Sequence, residues 1–289
     1  MIETPIADLA FPKSLTPPPR LYHYTSQNGL LGILSSKSLW ATRLQYLNDS
    51  AELAHTIALW KDAVQYRLDQ LEDIAGLAQD TRLEVETIFQ GLQKSFDFVS
   101  KIKIHVACFS EDGDSLSQWR GYCRGGAGFS IGFESSQLIT AASKQRCFLA
   151  PCIYDPAKQA SLIEAMWTRI LGRPPAEKRK TSRGLEFVSD FVTLATVLKH
   201  PSFAEEREWR IITQEISDDH PSIGIRQGRV VLTPYFDFQL VEAPEKLNLE
   251  LVVGPTPEID LSLASVSALL TRKSCIASTR ASKVPYREL

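Results

Sequence analysis

The chain has 289 residues, of which 44% are hydrophobic and 23% are charged, and its formal net charge is −2. This composition lies in the ordinary globular range, and the near-neutral charge excludes a global attraction to nucleic acid, although not a local basic groove. The five cysteines include no CxxC pair and no Cys/His ligand spacing, so we predict a reduced, cytoplasmic protein without a bound metal. No apolar run approaches the roughly 18 residues that a transmembrane helix needs, so we expect no membrane contact.

Residues 1–20 are predicted to form an extended N-terminal arm, because Pro17–Pro19 disfavours helix and favours polyproline geometry. The arm leads into Leu21–Glu52, whose pattern predicts a strand, a helix and a second strand. A polar cluster, His23 to Ser26, ends the first strand directly before apolar positions at helical spacing. This order places a histidine at the end of a strand, where a ligand could reach it.

Helices and strand-like runs alternate through the rest of the chain. Helical periodicity covers residues 51–67, 83–99, 157–171 and 181–199. Strand-like runs cover residues 102–110, 128–133, 147–154, 209–213, 229–233 and 249–253, with Pro234, Gly254-Pro255 and Pro257 as predicted strand ends. No repeat or linker divides the chain, so we predict one α+β domain over residues 21–289, with helical insertions at about 51–100 and 157–199.

Three groups of residues could carry chemistry, and the first is His23 with Tyr24, Thr25 and Ser26. A histidine at the end of a strand can donate a hydrogen bond from either ring nitrogen, which suits ribose hydroxyls or a carbonyl group. The alternative interpretation is a histidine that pairs with a neighbouring backbone carbonyl.

The second group is Ser115–Tyr122, which follows a strand-like run and an acidic turn. If Asp114 or Ser115 caps a helix, then Ser115, Trp119 and Tyr122 lie close to one face of it. The hydroxyl, indole and phenol of that face suit a planar ring, and Arg120 adds a contact for a phosphate or carboxylate. The alternative is that Trp119 and Tyr122 fill the core.

The third group is Glu206 and Glu208, which flank Arg207 at the start of a predicted strand. Alternation along a strand points both carboxylates to the same side. A carboxylate beside Trp209 would be partly desolvated, a setting in which it can stabilise positive charge at a reacting carbon. The alternative is an ordinary exposed strand edge.

Other sequence signals for a ligand site are weak. The Gly-rich segment 124–128 does not match GxGxxG after a strand, so we predict a turn without a phosphate role. The sequence has no Walker lysine, no HExxH and no GxSxG motif. The remaining histidines have no cysteine or acid at ligand spacing, which again predicts no metal.

Several short motifs occur in a fixed order along the chain. The segments YHYTS…LW.T…LND..E, CFSE…SLSQWRGY…G..IGFE and E.EWRI resemble a large bacterial family that carries a domain of unknown function (twenty-nine seventy-one). The resemblance extends over roughly Leu21–Pro255. The family name implies no activity.

A second, shorter resemblance rests on three of these motifs. His23-Tyr24-Thr25 with the apolar helix after it, Phe109–Cys123, and Glu208–Ile212 look like the three motifs of ADP-ribosyltransferases of the poly-ADP-ribose-polymerase-like and diphtheria-toxin-like types. The order His, Tyr, Glu is the order in those enzymes. The resemblance implies a split mixed or antiparallel sheet with long helical insertions, and NAD as the substrate.

The resemblance to the transferases also implies roles for single residues. His23 would hold the ribose hydroxyls of NAD, Tyr122 would stack on nicotinamide, and Glu208 would stabilise the cationic transition state. Glu206 would orient the acceptor. The other residues expected to contact NAD are Tyr24, Thr25, Ser115, Trp119 and Arg120. We therefore expect His23, Tyr122 and Glu208 to converge in one cleft.

The leading expectation is an NAD-dependent ADP-ribosyltransferase or NAD glycohydrolase that acts as a bacterial toxin or anti-phage defence effector. Its partners would be NAD, an acceptor that is a protein or a nucleic acid, and an antitoxin or other partner protein. One alternative is a non-catalytic module that binds a nucleotide or a partner with the same cleft. Another is a toxin directed at nucleic acid, which would bind through Arg120, Arg124 and the basic C-terminus.

Overall fold

The structure is a computed structural model that describes residues 10–11, 15–47, 50–72, 102–122, 128–171, 183–228, 230–240 and 248–285. The helix predicted at residues 83–99 and most of the Gly-rich segment lie outside these residues. Of the predicted N-terminal arm, Ala10 is buried in the core and Pro19 accepts a backbone hydrogen bond from Ser135 at 3.0 Å.

The described chain alternates strands and helices along its length. The strands are β1 (Arg20–Ser26), β2 (Ser38–Arg43), β3 (His105–Ser110), β4 (Gly128–Glu134), β5 (Phe148–Pro151), β6 (Glu208–Ile212), β7 (Ile223–Gln227), β8 (Leu232–Gln239), β9 (Asn248–Val253) and β10 (Ile276–Ala281). The helices of the described residues are α1 (Gln27–Ser36), α2 (Ser50–Glu72), α3 (Leu116–Tyr122), α4 (Ser135–Lys144), α5 (Pro156–Leu171), α6 (Arg183–Ala195) and α7 (Ile259–Lys273), with 3₁₀ helices at Leu44–Tyr46 and Pro201–Glu206. None of these helices has the length and apolar character that crossing a membrane requires.

The ten strands form one sheet of mixed orientation. Eight of them follow the order β10-β9-β4-β1-β3-β2-β8-β7, while β6 pairs with β3 and β5. Strand β10 runs parallel to β9, and the other paired strands are antiparallel. The predicted combination of helices with a mixed sheet is therefore confirmed, whereas the transferase type of sheet stays a prediction.

Strand β3 is the strand around which the candidate site is built. It pairs with β6 from Val106↔Ile212 to Ser110↔Glu208, and on its other edge it meets β1 through the pair Tyr22↔Ser110. Directly paired residues of neighbouring strands point to the same face of a sheet. The side chains of Tyr22, Ser110 and Glu208 therefore share one face.

Hydrophobic side chains cover both faces of the sheet. On one face, α1, α4 and α7 pack against a cluster that contains Leu21, Phe109 and Trp209. On the other, α2, α5 and α6 pack against a second cluster, in which Trp60 stacks on Trp167 with ring centroids 4.5 Å apart. Trp60, which lies within the helix predicted over residues 51–67, is thus a core residue.

The sequence pattern placed one strand wrongly and missed several elements. Pro234 was predicted to end a strand, but β8 continues through it, because the β2–β8 ladder begins at Thr42↔Tyr235 and needs no amide from Pro234. The missed elements are β7, β10, α4 and α7. Two of them bury few side chains: α7 buries Val266 and Leu270, and no residue of β10 is fully buried.

Candidate functional site

A cavity of about 230 Å³ lies on the face of the sheet that carries Glu208. Its floor is β3, whose Cys108 and Ser110 line it, and α3 contributes Ser117, Gln118 and Gly121. Because β1 and β6 pair with opposite edges of β3, they border the cavity from two sides. We call these the tyrosine side, from β1, and the charged side, from β6 and the segment before it.

Tyr22 and Tyr24 form the tyrosine side, since alternate residues of β1 share a face. The Tyr24 hydroxyl donates to the carbonyl of Asp112 at 2.7 Å and accepts from the amide of Ser115 at 2.9 Å. The Tyr22 hydroxyl donates to Glu250 Oε2 at 3.1 Å. Burial raises the pKa of both tyrosines. Both hydroxyl groups are therefore protonated near neutral pH, and their hydrogen bonds hold the two rings in place.

Lys199, Glu206, Glu208 and Arg210 form the charged side. Lys199 Nζ donates to Glu206 Oε2 and to Glu208 Oε2, each at 2.6 Å. Arg210 Nε donates to Glu208 Oε1 at 2.8 Å, and its Nη1 donates to the carbonyl of Thr196 at 2.9 Å. Two cations and two carboxylates thus compensate each other at the cavity wall.

Glu208 is ionised in this setting. Burial opposes its charge, but the charges of Arg210 and Lys199 outweigh burial and lower the pKa of Glu208 to about 2. Burial, followed by the charge of Glu208, raises the pKa of the Cys108 thiol, so this thiol is protonated near neutral pH and is a poor nucleophile. In the described part of the chain, no group of three or more His, Cys, Asp or Glu side chains is arranged to hold a metal ion.

His23 lies on the opposite face of the sheet from Glu208. The residue before it on β1 pairs with Ser110, which in turn pairs with Glu208, so His23 points the other way. Its ring lies 5.8 Å from that of Phe109, and its Nδ1 lies 2.9 Å from the carbonyl oxygen of Cys108. Burial lowers the pKa of His23. The predicted convergence of His23 and Glu208 in one cleft was wrong, and His23 has the backbone-carbonyl contact of the alternative interpretation.

Trp119, which was expected to contact a planar ligand, is completely buried. Its Nε1 donates to Asp114 Oδ1 at 2.8 Å, and its ring packs edge-on against Tyr24 with 4.7 Å between centroids. Because no face of the indole is exposed, the expectation of a ligand contact was wrong. Trp119 supports the Tyr24 ring from behind.

The other residues expected at the site are spread around it. Ser115 lies beside the cavity, with its Oγ 2.9 Å from the Oγ of Ser117. Thr25 is buried on the face of β1 that points away from the cavity. Arg120 is exposed on α3 and does not line the cavity. Tyr122 ends α3, and its side chain lies outside the described part of the chain.

Glu206 and Glu208 meet at one cation, although strand alternation is not the reason. Glu206 ends the 3₁₀ helix Pro201–Glu206, and Arg207 has a left-handed φ of 42° directly before β6 begins at Glu208. This turn brings both carboxylates to Lys199. The alternative of an ordinary exposed strand edge was wrong, because Glu208 is buried.

The sequence interpretation missed Lys199, Arg210 and Tyr22. Two of them had a signal, since Arg210 and Tyr22 lie two residues from Glu208 and Tyr24 on the same strands and share their faces. Lys199 had none, because it reaches the carboxylates from a segment that precedes the 3₁₀ helix. Only the three-dimensional turn at Arg207 brings it to Glu208.

Comparison with known proteins adds a partial family match. The model of a family described as "Protein of unknown function (DUF2971)" matches residues 118–211, which is about a third of the chain and includes the charged side of the cavity. Comparison with curated proteins and with solved structures gave no match, so the resemblance to ADP-ribosyltransferases gains no support. Residues 118–211 are thus similar to a family whose description gives no function.

Proposed function

We propose that the cavity binds the heterocyclic end of a nucleotide and that the protein is a nucleotide-binding module. The observation that carries this proposal is the presence of a fixed aromatic side and a charged side in one cavity. Sites that enclose a drug-sized ligand have roughly 300–1,000 Å³. A cavity of about 230 Å³ is smaller and suits a single base, with its sugar and phosphate at the edge.

The two sides and α3 offer the contacts that a base needs. Stacking of a base on an aromatic ring contributes roughly 1–3 kcal/mol, and the half-buried Tyr22 provides such a ring, whereas Tyr24 is buried and borders the cavity. Ser117 and Gln118 add a hydroxyl and an amide, which donate to and accept from the edge of a base. Because hydrogen bonds already fix the tyrosine hydroxyls, little ordering cost accompanies binding.

Catalysis is not part of this proposal. The charge of Glu208 is already matched by Lys199 and Arg210, and His23 points away from the cavity. The Glu208 carboxylate already pairs with two buried cations. If it turned to stabilise a reacting carbon, Lys199 and Arg210 would lose their counter-charge.

One observation favours NAD cleavage as a second candidate function: Glu208 is an ionised carboxylate at the cavity wall. In an NAD glycohydrolase or ADP-ribosyltransferase, it would stabilise the oxocarbenium-like transition state as nicotinamide leaves. The transfer acceptor, and a toxin or defence role, would depend on this activity.

Calorimetric titration of the full chain with the four ribonucleoside monophosphates and NAD, combined with mass-spectrometric detection of nicotinamide, tests both functions. We expect saturable binding of at least one nucleotide and no release of nicotinamide. Release by the wild type that is lost in folded Glu208→Gln would favour the second function. If none of these ligands binds and no nicotinamide appears, both are refuted.

A further inference from the structure

Lys199 bridges two carboxylates that differ in their exposure to solvent. The side chain of Glu208 is 7% exposed, and Arg210 holds it as well through Nε at 2.8 Å. The side chain of Glu206 is 22% exposed and approaches Lys199 from the end of a 3₁₀ helix. Of the two, Glu206 is the carboxylate that can turn toward water.

We propose that Glu206 occupies the position of a ligand's phosphate and is displaced from Lys199 when a nucleoside monophosphate binds. This inference rests on the proposed nucleotide-binding function and names the group that receives the phosphate, the ammonium of Lys199. A lysine ammonium binds phosphate as a compact point charge. The same contact at 2.6 Å is made by Glu206 in the structure.

The exchange leaves the buried charges compensated. Glu208 stays between Lys199 and Arg210, and a phosphate replaces one carboxylate with another anion. Displacement of Glu208 instead would strip a buried arginine of its counter-charge, which is strongly unfavourable. The partly exposed Glu206 regains water as it leaves, so its displacement costs far less.

The backbone around Glu206 limits the movement to its side chain. The Ser110 hydroxyl donates to the carbonyl of Glu206 at 2.8 Å, and Arg207 Nη2 donates to Asp112 Oδ2 at 3.0 Å. Both contacts fix the turn between the 3₁₀ helix and β6 to the end of β3. Glu206 therefore acts as an internal competitor that lowers the affinity for phosphate-bearing ligands without altering the base-binding part of the cavity.

The experiment compares Glu206→Gln with Glu205→Gln, which removes the same charge from an exposed neighbour in the same 3₁₀ helix. Wild type and both variants are titrated with each ribonucleoside monophosphate, with the matching nucleoside and with inorganic phosphate. For Glu206→Gln we expect nucleoside monophosphates to bind about tenfold more tightly, the scale of one charge-assisted contact. Nucleoside affinity should stay within about twofold, and Glu205→Gln should match the wild type.

Each outcome decides between the two proposals. If nucleosides and nucleotides bind but Glu206→Gln gains no affinity for the phosphate-bearing ligands, the Glu206 inference is overturned and the nucleotide-binding function stands. An equal gain in Glu205→Gln also overturns it, because the effect is then general electrostatics. A gain for inorganic phosphate but none for any nucleotide would assign the exchange to free phosphate and overturn it for nucleotides. No binding by any protein refutes both proposals.

Discussion

The Lys199 ammonium and the Glu208 carboxylate form a buried ion pair, with 2.6 Å between Nζ and Oε2 and side-chain exposures of 4% and 7%. Arg210 binds the same carboxylate from within β6. Glu208 is therefore the counter-charge of two buried cations. The contribution of Glu208 to stability can therefore be measured by unfolding experiments, independently of ligand binding at the cavity.

Replacement of Glu208 by glutamine should strongly destabilise the protein. The change keeps the size of the side chain but leaves Lys199 and Arg210 without a buried negative charge, and breaking a buried pair costs about 3–5 kcal/mol. Urea unfolding measures the difference in free energy of unfolding. The control Glu205→Gln, at an exposed position, should change it by less than about 0.5 kcal/mol. A Glu208→Gln variant as stable as the control would show that the pair contributes nothing to stability.

The stability of the protein should fall on the acid side of neutrality because of His105. This residue is fully buried, and neither ring nitrogen has a hydrogen-bond partner in the part of the chain that the structure describes. Burial, followed by the charge of Arg43, lowers its pKa from 6.5 to about 4. The unfolded chain therefore binds a proton first as the pH falls. The stability from His105 is complete above pH 6.5 and is lost as the pH falls toward 4.

Urea unfolding at a series of pH values checks this effect. His105→Leu should reduce the slope between pH 6.5 and 4 and leave the part that comes from His23, whose pKa burial also lowers, whereas His220→Leu, at an exposed histidine, should retain the whole slope. Glu208 affects stability at lower pH than His105. Its pKa in the folded protein is about 2, below the ordinary 4.5. Its contribution to the free energy of unfolding is therefore complete above pH 4.5 and is lost as the pH falls toward 2. An unchanged slope in His105→Leu would contradict the assignment.

His23→Ala should weaken the fold without altering nucleotide affinity. His23 contacts the carbonyl of Cys108 and the ring of Phe109 on the face away from the cavity. Loss of these contacts should cost about 1–3 kcal/mol of unfolding free energy, and calorimetric affinity for a nucleotide should stay within about twofold. A loss of nucleotide affinity of tenfold or more, with unchanged stability, would contradict this prediction and indicate that His23 contacts the ligand.

The sequence predicted the elements with strong periodicity and the residues that share a strand. Strands β3, β4, β6 and β9 and the helix that carries Trp60 follow directly from their apolar patterns. Glu208 and Tyr24, which the sequence analysis selected as polar residues at strand ends, both line the cavity, while their contact with a ligand stays a prediction. What failed was the choice of face: the motif around His23 carries no information on which way the ring points until the register Tyr22↔Ser110 is known.

The charged side of the cavity lay beyond sequence reasoning for a physical reason. Lys199 lies between α6 and the 3₁₀ helix, whereas Glu208 begins β6, and the left-handed residue Arg207 between them sets their approach. Such a turn is not signalled by residue type, because arginine rarely adopts a positive φ. The ion pair between Lys199 and Glu208 therefore becomes evident only from the three-dimensional structure, which shows the turn at Arg207.

The most direct test of the central claim is to fill the cavity from α3 and measure nucleotide binding. Gly121 lines the cavity, and a Cβ there meets no atom within 4 Å. We therefore expect a phenylalanine ring at this position to occupy the cavity without displacing the fold. Gly32 on α1 is the matched control, because it is also helical and exposed, and a Cβ there equally meets no atom within 4 Å.

Calorimetric titration with the tightest-binding nucleoside monophosphate should show binding to the wild type and to Gly32→Phe with equal affinity. Gly121→Phe should lose at least about 100-fold in affinity while its stability stays within about 1 kcal/mol of the control, since both changes replace glycine in a helix. Equal nucleotide affinity in both phenylalanine variants would contradict the claim that this cavity is the binding site.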